Sequence, residues 1–495
     1  MTTTATDRLL DDLSGSGPGS GSSSVTGSGS GSSGNAGGAA RAGTSGPGGA
    51  RSAGDVVTDP EVLASYRHDQ AAPGLVPAGT PAAVVRPRTT AEVQHAVRVA
   101  ARHGVPVVPR GAGSGLSGGA NAIDGCLVVS LERMTDVVEL DGPSLLATVQ
   151  PGLVNAQLGE AARREGLHYA PDPASYEFST IGGNIATNAG GLCCVKYGVT
   201  RDALLGLEVV LADGRAVRIG RRARKGVAGY DLASLICGSE GTLGIVTEAT
   251  MRLIPPPRSA ATLAASFPTL GSAGAAIAKI TRCATPSVLE LMDRTTIQAV
   301  ERMAPQGLDE DVDVLVFARS DLGGASALRD VDQMARWCEE AGATLAITTD
   351  EEAEGRMLMA ARRLAYTALE HQGATLLDDV GVPLGKIPAL LEGIEAIAAR
   401  HDVLIGTFGH AGDGNMHPTI VYDQHDPDAV ARTRQAFAAL VRLALALGGT
   451  VTGEHGVGLL KRDFLADELG EAHALHRAIK HAFDPAGLFN PGKGI

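Results

Sequence analysis

Two short stretches carry side chains able to do chemistry. Gly409-His410-Ala-Gly-Asp-Gly-Asn-Met-His417 is unusually polar for the end of a strand, and Gly453-Glu454-His455-Gly456 follows downstream. A lone histidine is usually structural. Three of them with a glutamate, in glycine-rich surroundings, are harder to dismiss. Two imidazoles and a carboxylate with open positions make a competent divalent-metal site. The same groups would also serve proton transfer without metal, because imidazole titrates near neutral pH. Residue types alone leave both readings open.

Glycine-rich loops form the second chemical signature. Five glycines lie between Arg110 and Ala120. They let the backbone approach a ligand closely, and consecutive exposed N–H groups make a concave anion site. Gly113-x-Gly115-x-x-Gly118 formally matches the dinucleotide fingerprint. That fingerprint needs a helix directly after the loop, with the pyrophosphate on its N-terminus. Here the chain runs into an apolar strand over 126–131 instead, so a nicotinamide-binding Rossmann unit is excluded on context. A second loop covers Ile181-Gly182-Gly183-Asn184 and 187–191, and a third covers 238–244. Three such loops in one domain point to one large cofactor touched at several places.

These loops need elements to hold them. Thr89-x-x-Glu92 is a capping box opening a helix through Arg102, closed by Gly104. Strands are expected at 105–108, 126–131 and 244–253, a helix at 154–165, and a hairpin at 207–219 turning on Asp213-Gly214. Pro255-Pro256-Pro257 marks the end of the first domain. Beyond it, strands at 312–318, 344–348, 376–380, 403–408 and 416–421 are separated by helical patterns, among them 325–341 and 427–447. Helices on one face of a sheet, an α+β arrangement, fit that alternation. Residues 1–54 read as a disordered Ser/Gly-rich tail, because such a stretch buries too little apolar surface.

Composition narrows the function classes. The formal net charge is -13 and the pI about 5.5, which disfavours a nucleic-acid binder. Six cysteines without a C-x-x-C pair exclude a zinc ribbon, a thioredoxin-type motif and an iron–sulfur cluster. Cys126 and Cys237 read as small buried hydrophobes, and buried packing is also expected of Cys193 and Cys194. No apolar run reaches a membrane span, and the first residues do not form a secretory signal. A cytoplasmic protein is expected, with a peripheral position at the membrane left open.

Four stretches, PVVPRGAGSGLSGGA, PDPASYEFSTIGGNIATNAGG, VKYGVTRDALLGLEVVLADG and GSEGTLGIVTEATMRLIP, resemble the FAD-binding domain of the vanillyl-alcohol-oxidase (PCMH-type FAD) superfamily. The branch is similar to D-lactate dehydrogenase and the flavin subunit of glycolate oxidase, and the similarity covers about residues 60 to 495. It implies an α+β fold: a PCMH-type FAD-binding domain of two α+β subdomains over 55–257, then an α+β cap with a ferredoxin-like sheet over 258–483. Residues 484–495 would pack back near the flavin. The resemblance places the FAD pyrophosphate on Gly111, Ala112, Gly113 and Ser114, and the flavin and ribityl chain along Pro171, Asp172, Gly183, Asn184 and Gly191. Arg110, Gly115, Gly182, Thr187, Asn188 and Gly190 are further expected cofactor contacts. Glu240, Gly241, Ile245 and Asn490 would complete the site. Relatives that bind FAD covalently carry a histidine where this chain has Ser114, so the cofactor is expected to be non-covalent.

GHAGDGNMH and TGEHGVGLLKRDFL are similar to the metal-binding and catalytic segments of the same branch. Carried over, His410, His417 and Glu454 hold a divalent metal, Zn or Mn, and His455 is the base. Asn415 lines the site, and Arg362 clamps the substrate carboxylate. Arg363 reads as a solvated helix charge. The implied reaction is oxidation of a small D-2-hydroxy acid, D-lactate or glycolate, to the 2-oxo acid. Electrons would leave to a quinone, a cytochrome or an electron-transfer protein. Relatives acting on dicarboxylates have a lysine shortly before Asp379; Thr375-Leu376-Leu377-Asp378 offers none, which favours a monocarboxylate. A D-2-hydroxyglutarate enzyme and the flavin subunit of a multi-subunit glycolate oxidase are the alternatives, and an oligomer is compatible with either. A metal-dependent hydrolase would leave the three glycine-rich loops without a use. A non-catalytic flavin carrier would not need Arg362 or the histidine set.

Overall fold

A computed structural model describes residues 5–15 and 52–495. The first half holds two sheets. In the four-stranded one, β1 (Asp55–Val57), β2 (Ala83–Arg86), β4 (Leu127–Ser130) and β3 (Val107–Arg110) lie in that order, with β2, β4 and β3 parallel. The five-stranded sheet is antiparallel, in the order β5 (Val137–Asp141), β6 (Leu146–Val149), β9 (Ile245–Arg252), β7 (Leu204–Val210) and β8 (Ala216–Gly220).

The expected helix over 89–102 runs Thr90–His103. Thr89 Oγ1 accepts the Glu92 N–H, and Gly104 closes the helix at φ 64°. The capping box is incomplete, however: Glu92 Oε2 accepts the N–H of Arg88, one residue before the cap (2.6 Å). Val93, Ala96, Val97 and Ala100 form its buried stripe against β2, β3 and β4. With aromatics scarce, this core is built from Val, Ala and Leu.

Two readings of the first half are corrected. Residues 181–187, taken as loop for their glycines, form a helix, Ile181–Thr187. Thr180 Oγ1 caps it by accepting the Gly183 N–H, and Ile181, Asn184 and Ile185 are buried. The tail assigned to 1–54 begins with a helix, Ala5–Ser14, whose Leu9 and Leu13 sink into the Thr90–His103 core. Asp12 meets His103 at 2.9 Å and Arg102 at 3.3 Å. An amphipathic decapeptide can bury its leucines although its neighbours are Ser and Gly. Most of the remaining tail lies outside the described residues.

The second half carries one eight-stranded sheet, in the order β13 (Leu345–Thr349), β10 (Ala261–Phe267), β12 (Val314–Ser320), β11 (Val288–Asp293), β16 (Leu404–His410), β17 (Asn415–Tyr422) and β14 (Ala374–Leu377). The short β15 (Val380–Gly381) also pairs with β17. The strand read over 376–380 is therefore two strands, broken at Asp378-Asp379, both fully buried. Helices Leu270–Cys283, Gly324–Glu340, Ile387–His401 and Pro427–Ala446 pack on one face of this sheet, and, contrary to the expectation of helices on one face alone, Arg294–Met303 and Ala360–Glu370 cover the other, where Val288, Met292, Leu315 and Phe317 point. The last residues return to the first half. Val107 donates its N–H to Leu488 O at 2.8 Å, and Phe489 is fully buried beside β3.

Candidate active site

The β16–β17 hairpin builds the centre. Its register sets His410 opposite Asn415 and Phe408 opposite His417, with the Ala-Gly-Asp-Gly turn between them. Glu454 and His455 arrive on the turn that follows the helix Pro427–Ala446. Asp379 gathers that turn: its Oδ2 accepts from Thr452 Oγ1 (2.7 Å) and from the N–H groups of Gly453 (2.9 Å), Glu454 (2.9 Å) and His455 (2.8 Å). Gly453 packs against Asn415, where a Cβ would come within 2.4 Å of the side chain.

Three imidazoles converge on one carboxylate oxygen. Glu454 Oε1 lies 3.2 Å from His410 Nε2, 3.5 Å from His417 Nε2 and 3.8 Å from His455 Nε2. The rings of His417 and His455 stack at 5.0 Å, and His410 stands edge-on to His417. All are buried or nearly so, and an uncompensated charge there would be costly. Burial disfavours the carboxylate of Glu454, but His410 and His417 outweigh it and hold its pKa well below the ordinary range. Burial also opposes the charged form of His410, yet Glu290 and Glu454 raise its pKa well above the usual value. For His455 burial prevails and the pKa is lowered, leaving a neutral ring at neutral pH.

Asp379, His417, Glu454 and His455 can each turn a ligand atom toward one point. Asp379 is the weakest ligand of the four, because its Oδ2 is saturated by the turn. Its other oxygen stands 3.7 Å from His417 Nδ1, and neither of these buried atoms has a hydrogen-bond partner. A carboxylate behind the far nitrogen of a ligating histidine is how metal-bound imidazoles are oriented. The nitrogen- and oxygen-rich donor set and the orphaned His417 Nδ1 thus fit a divalent ion.

This cluster closes one end of a cavity of ≈ 870 Å³. The wall includes Gly111, Ala112, Gly113, Ser114 and Gly115 from the first loop, with Asp172, Gly182, Gly183, Asn184, Thr187 and Gly191 from the second. Glu240, Gly241 and Ile245 come from the third, and Arg362, His410, His417, Glu454 and His455 from the other half. Three glycine loops and the histidine cluster, far apart in sequence, share one space of a size suited to a large flat cofactor. Gly190 has another duty: a Cβ there would meet Glu454 Oε2 at 2.4 Å.

Several expected site residues also make contacts that hold the frame. Arg110 faces an adjoining recess and turns its guanidinium back to His68 O (2.7 Å) and Ala120 O (3.1 Å). Pro171 O accepts from Asn155 Nδ2. Asn188 closes the Ile181–Thr187 helix in a left-handed conformation. Asn490 Nδ2 ties Gly119 O (2.9 Å) to Glu240 O (2.8 Å). Asn415 packs behind Gly453, outside the cavity wall. The carboxylate of Glu240 accepts the N–H groups of Val457 and Gly458, both at 2.8 Å. It therefore grips the chain just past His455.

Arg362 is not a free clamp. Its Nε–H donates to Glu290 Oε2 at 2.8 Å, Nη2 makes an ion-pair contact with the same oxygen at 2.7 Å, and the guanidinium lies over Phe408 at 4.7 Å. Glu290, fully buried on β11, also accepts from His410 Nδ1 at 2.7 Å. The sequence reading missed it. A carboxylate inside the apolar run 288–292 was the available signal, since a charge there must be paired. Arg363 is exposed, as expected of a solvated helix charge, and it also borders the cavity.

Residues 81–220 match the family described as FAD binding domain, and 256–494 match FAD linked oxidases, C-terminal domain. The glycolate oxidase subunit GlcD of Bacillus subtilis is 42% identical over 83% of this chain and 88% of its own length. This chain belongs to the FAD-linked oxidase family. GlcD of Escherichia coli is 37% identical over 84% of each protein, and D-lactate dehydrogenase of Archaeoglobus fulgidus is 34% identical over 87% of this chain and 95% of its own. Among solved structures, 4-ethylphenol oxidase from Gulosibacter chungangensis superposes with a TM-score of 0.72 at 22% identity, covering 89% of this chain and 94% of that one. p-Cresol methylhydroxylase gives 0.73 at 16% identity, covering 89% and 93%. These likenesses establish the PCMH-type fold. As an FAD-linked oxidase the chain is an FAD-dependent oxidoreductase.

Proposed function

We propose that this FAD-linked oxidase converts a small D-2-hydroxy acid, glycolate or D-lactate, to the 2-oxo acid. The observation that carries the reading is the convergence of His410, His417 and His455 on Glu454 Oε1 at the end of the cavity the glycine loops enclose. The names of the relatives, glycolate oxidase subunits and D-lactate dehydrogenases, support the substrate class.

FAD, bound without a covalent link, supplies the two-electron acceptor. His410, His417 and Glu454 would hold a divalent ion, Zn or Mn, whose Lewis acidity lowers the pKa of an α-hydroxyl. His455, neutral and adjacent, accepts the hydroxyl proton at Nε2. Arg362, held at one edge by Glu290, offers the remainder of its guanidinium to the substrate carboxylate. Lys461 does not hold a second carboxylate: its Nζ is consumed by Asp378 Oδ1 (2.9 Å) and by the carbonyls of Asp379 and Val451 (both 2.8 Å).

A second reading, oxidation of D-2-hydroxyglutarate, is favoured by Arg363, a further cation at the cavity wall. The relatives named as subunits favour transfer of electrons to a partner protein, with a quinone or cytochrome as the other acceptors. Steady-state turnover with a dye acceptor separates the substrates. The proposal expects glycolate and D-lactate to react and L-lactate to fail. Turnover with D-2-hydroxyglutarate alone would transfer the assignment to the dicarboxylate.

A further inference from the structure

We propose that Glu290 is a positioning residue that sets the substrate-binding guanidinium and a metal-ligating imidazole with one carboxylate. The inference rests on the functional reading above and deepens it.

The division of the two oxygens is the first argument. Arg362 donates its Nε–H to Oε2 at 2.8 Å and brings Nη2 into ion-pair contact with that same oxygen at 2.7 Å, when a parallel fork would have used both oxygens. Oε1 is thereby left for His410 Nδ1 at 2.7 Å. Each oxygen serves a different part of the site. Nη1 of Arg362 has no protein hydrogen bond among the described residues, and Arg362 forms part of the cavity wall. The pairing with Glu290 and the face of Phe408 at 4.7 Å fix the plane in which that free edge is presented.

The second argument is tautomeric. A donor at Nδ1 of His410 leaves Nε2 as the lone-pair nitrogen, and that atom faces Glu454 Oε1 at 3.2 Å. Two acceptors so close need a cation between them, either a proton or a metal ion. Glu290 thus selects the form of His410 that can ligate, as outer-sphere carboxylates do at histidine metal sites.

The third argument is placement. Val288 and Met292, on the same face of β11, pack into an apolar cluster with Met359, Ala361, Ala365 and Phe408. A carboxylate on that face has no water to solvate it and persists only through these two partners. Register sets Leu291 opposite Gly409, which brings Glu290 beside His410 without a loop between them.

The test compares E290Q with the wild-type holoprotein. A glutamine matches the size, but its oxygen can serve only one partner while its NH2 group opposes the other donor. Affinity for Mn2+ and for Zn2+ is measured by chelator competition, and KM is measured for glycolate and D-lactate. Flavin content reports folding. The expected result is metal affinity weakened about 10- to 100-fold and a raised KM, with flavin content unchanged. Unchanged affinity and KM in a flavin-loaded variant would overturn the proposal. A change in one quantity without the other would overturn the claim of a shared carboxylate. If E290Q loses flavin, E290D takes its place. Loss of flavin from both would make Glu290 a folding residue and defeat the proposal. A wild-type protein that takes up neither metal refutes the functional reading itself and the metal half of this proposal. That failure appears in the wild type, whereas failure of the Glu290 role appears only in the comparison.

Discussion

At the scale of single residues, the environment separates the proposed base from the proposed ligands. His410 stands between Glu290 and Glu454, which favour charge, whereas burial keeps His455 neutral. A lowered pKa means the base form persists down to a pH below the ordinary imidazole value of about 6.5 and is lost as pH falls through the shifted pKa. The kcat/KM profile is therefore expected to be flat at neutral pH with an acid limb below it. His455→Gln should remove that limb and lower kcat by about 10²- to 10⁴-fold while flavin is retained. Glu454→Gln should instead release metal, measured by elemental analysis of the dialysed protein. The histidine cluster was legible because His, Glu and Gly in such density have few structural uses. Glu290 and Asp379 were not: the apolar run around Glu290 signals only that its charge must be paired, not with what. Only pairing across strands shows what it serves.

At the scale of elements, the two halves are joined where the chemistry sits. Glu240, from the third glycine loop, holds Val457 and Gly458, and Ser117 Oγ, from the first, donates to Gly456 O at 2.8 Å. The turn carrying His455 is thus gripped by the loops that line the cavity. Glu240→Gln leaves one of two buried N–H groups badly paired, a cost of about 1–3 kcal/mol. A lower melting temperature and a reduced kcat should appear together. In the first half β3, β4, β7, β8 and β9 and the helix capped by Thr89 and Gly104 were readable from caps and alternation, whereas the short strands β1, β2, β5 and β6 were not. The helix Ile181–Thr187 was hidden by its two glycines, because burial of Ile181 and Ile185 outweighs their poor propensity. The helix Ala5–Ser14 was masked by the composition that follows it. Leu13 is fully buried, so Leu13→Ala should destabilise the first half by about 2–5 kcal/mol in denaturant unfolding.

At the scale of the whole molecule, function depends on a cavity that neither half makes alone. The FAD-binding half supplies the glycine loops, and the second half supplies the arginine and the histidine cluster. The C-terminal segment then crosses back to seal Phe489 against β3. No helix among the described residues is long and apolar enough to cross a membrane. The triple proline and the change in alternation are what led the sequence to be read as two domains. The meeting of the halves was not legible, since the contacts that make it lie hundreds of residues apart. A cofactor bound across such a junction should stabilise both sides, by about 2.7 kcal/mol at a hundredfold excess over its Kd. The melting temperature of the apoprotein should accordingly rise with added FAD. The central claim is that the cluster around Glu454 and the flavin act on one 2-hydroxy acid. It is tested most directly by adding glycolate or D-lactate anaerobically to the holoprotein and following the visible flavin absorbance, before and after chelation. The account predicts rapid bleaching that is lost with the chelator and restored by Mn2+ or Zn2+. Flavin that neither acid bleaches, or bleaching indifferent to the chelator, would contradict it.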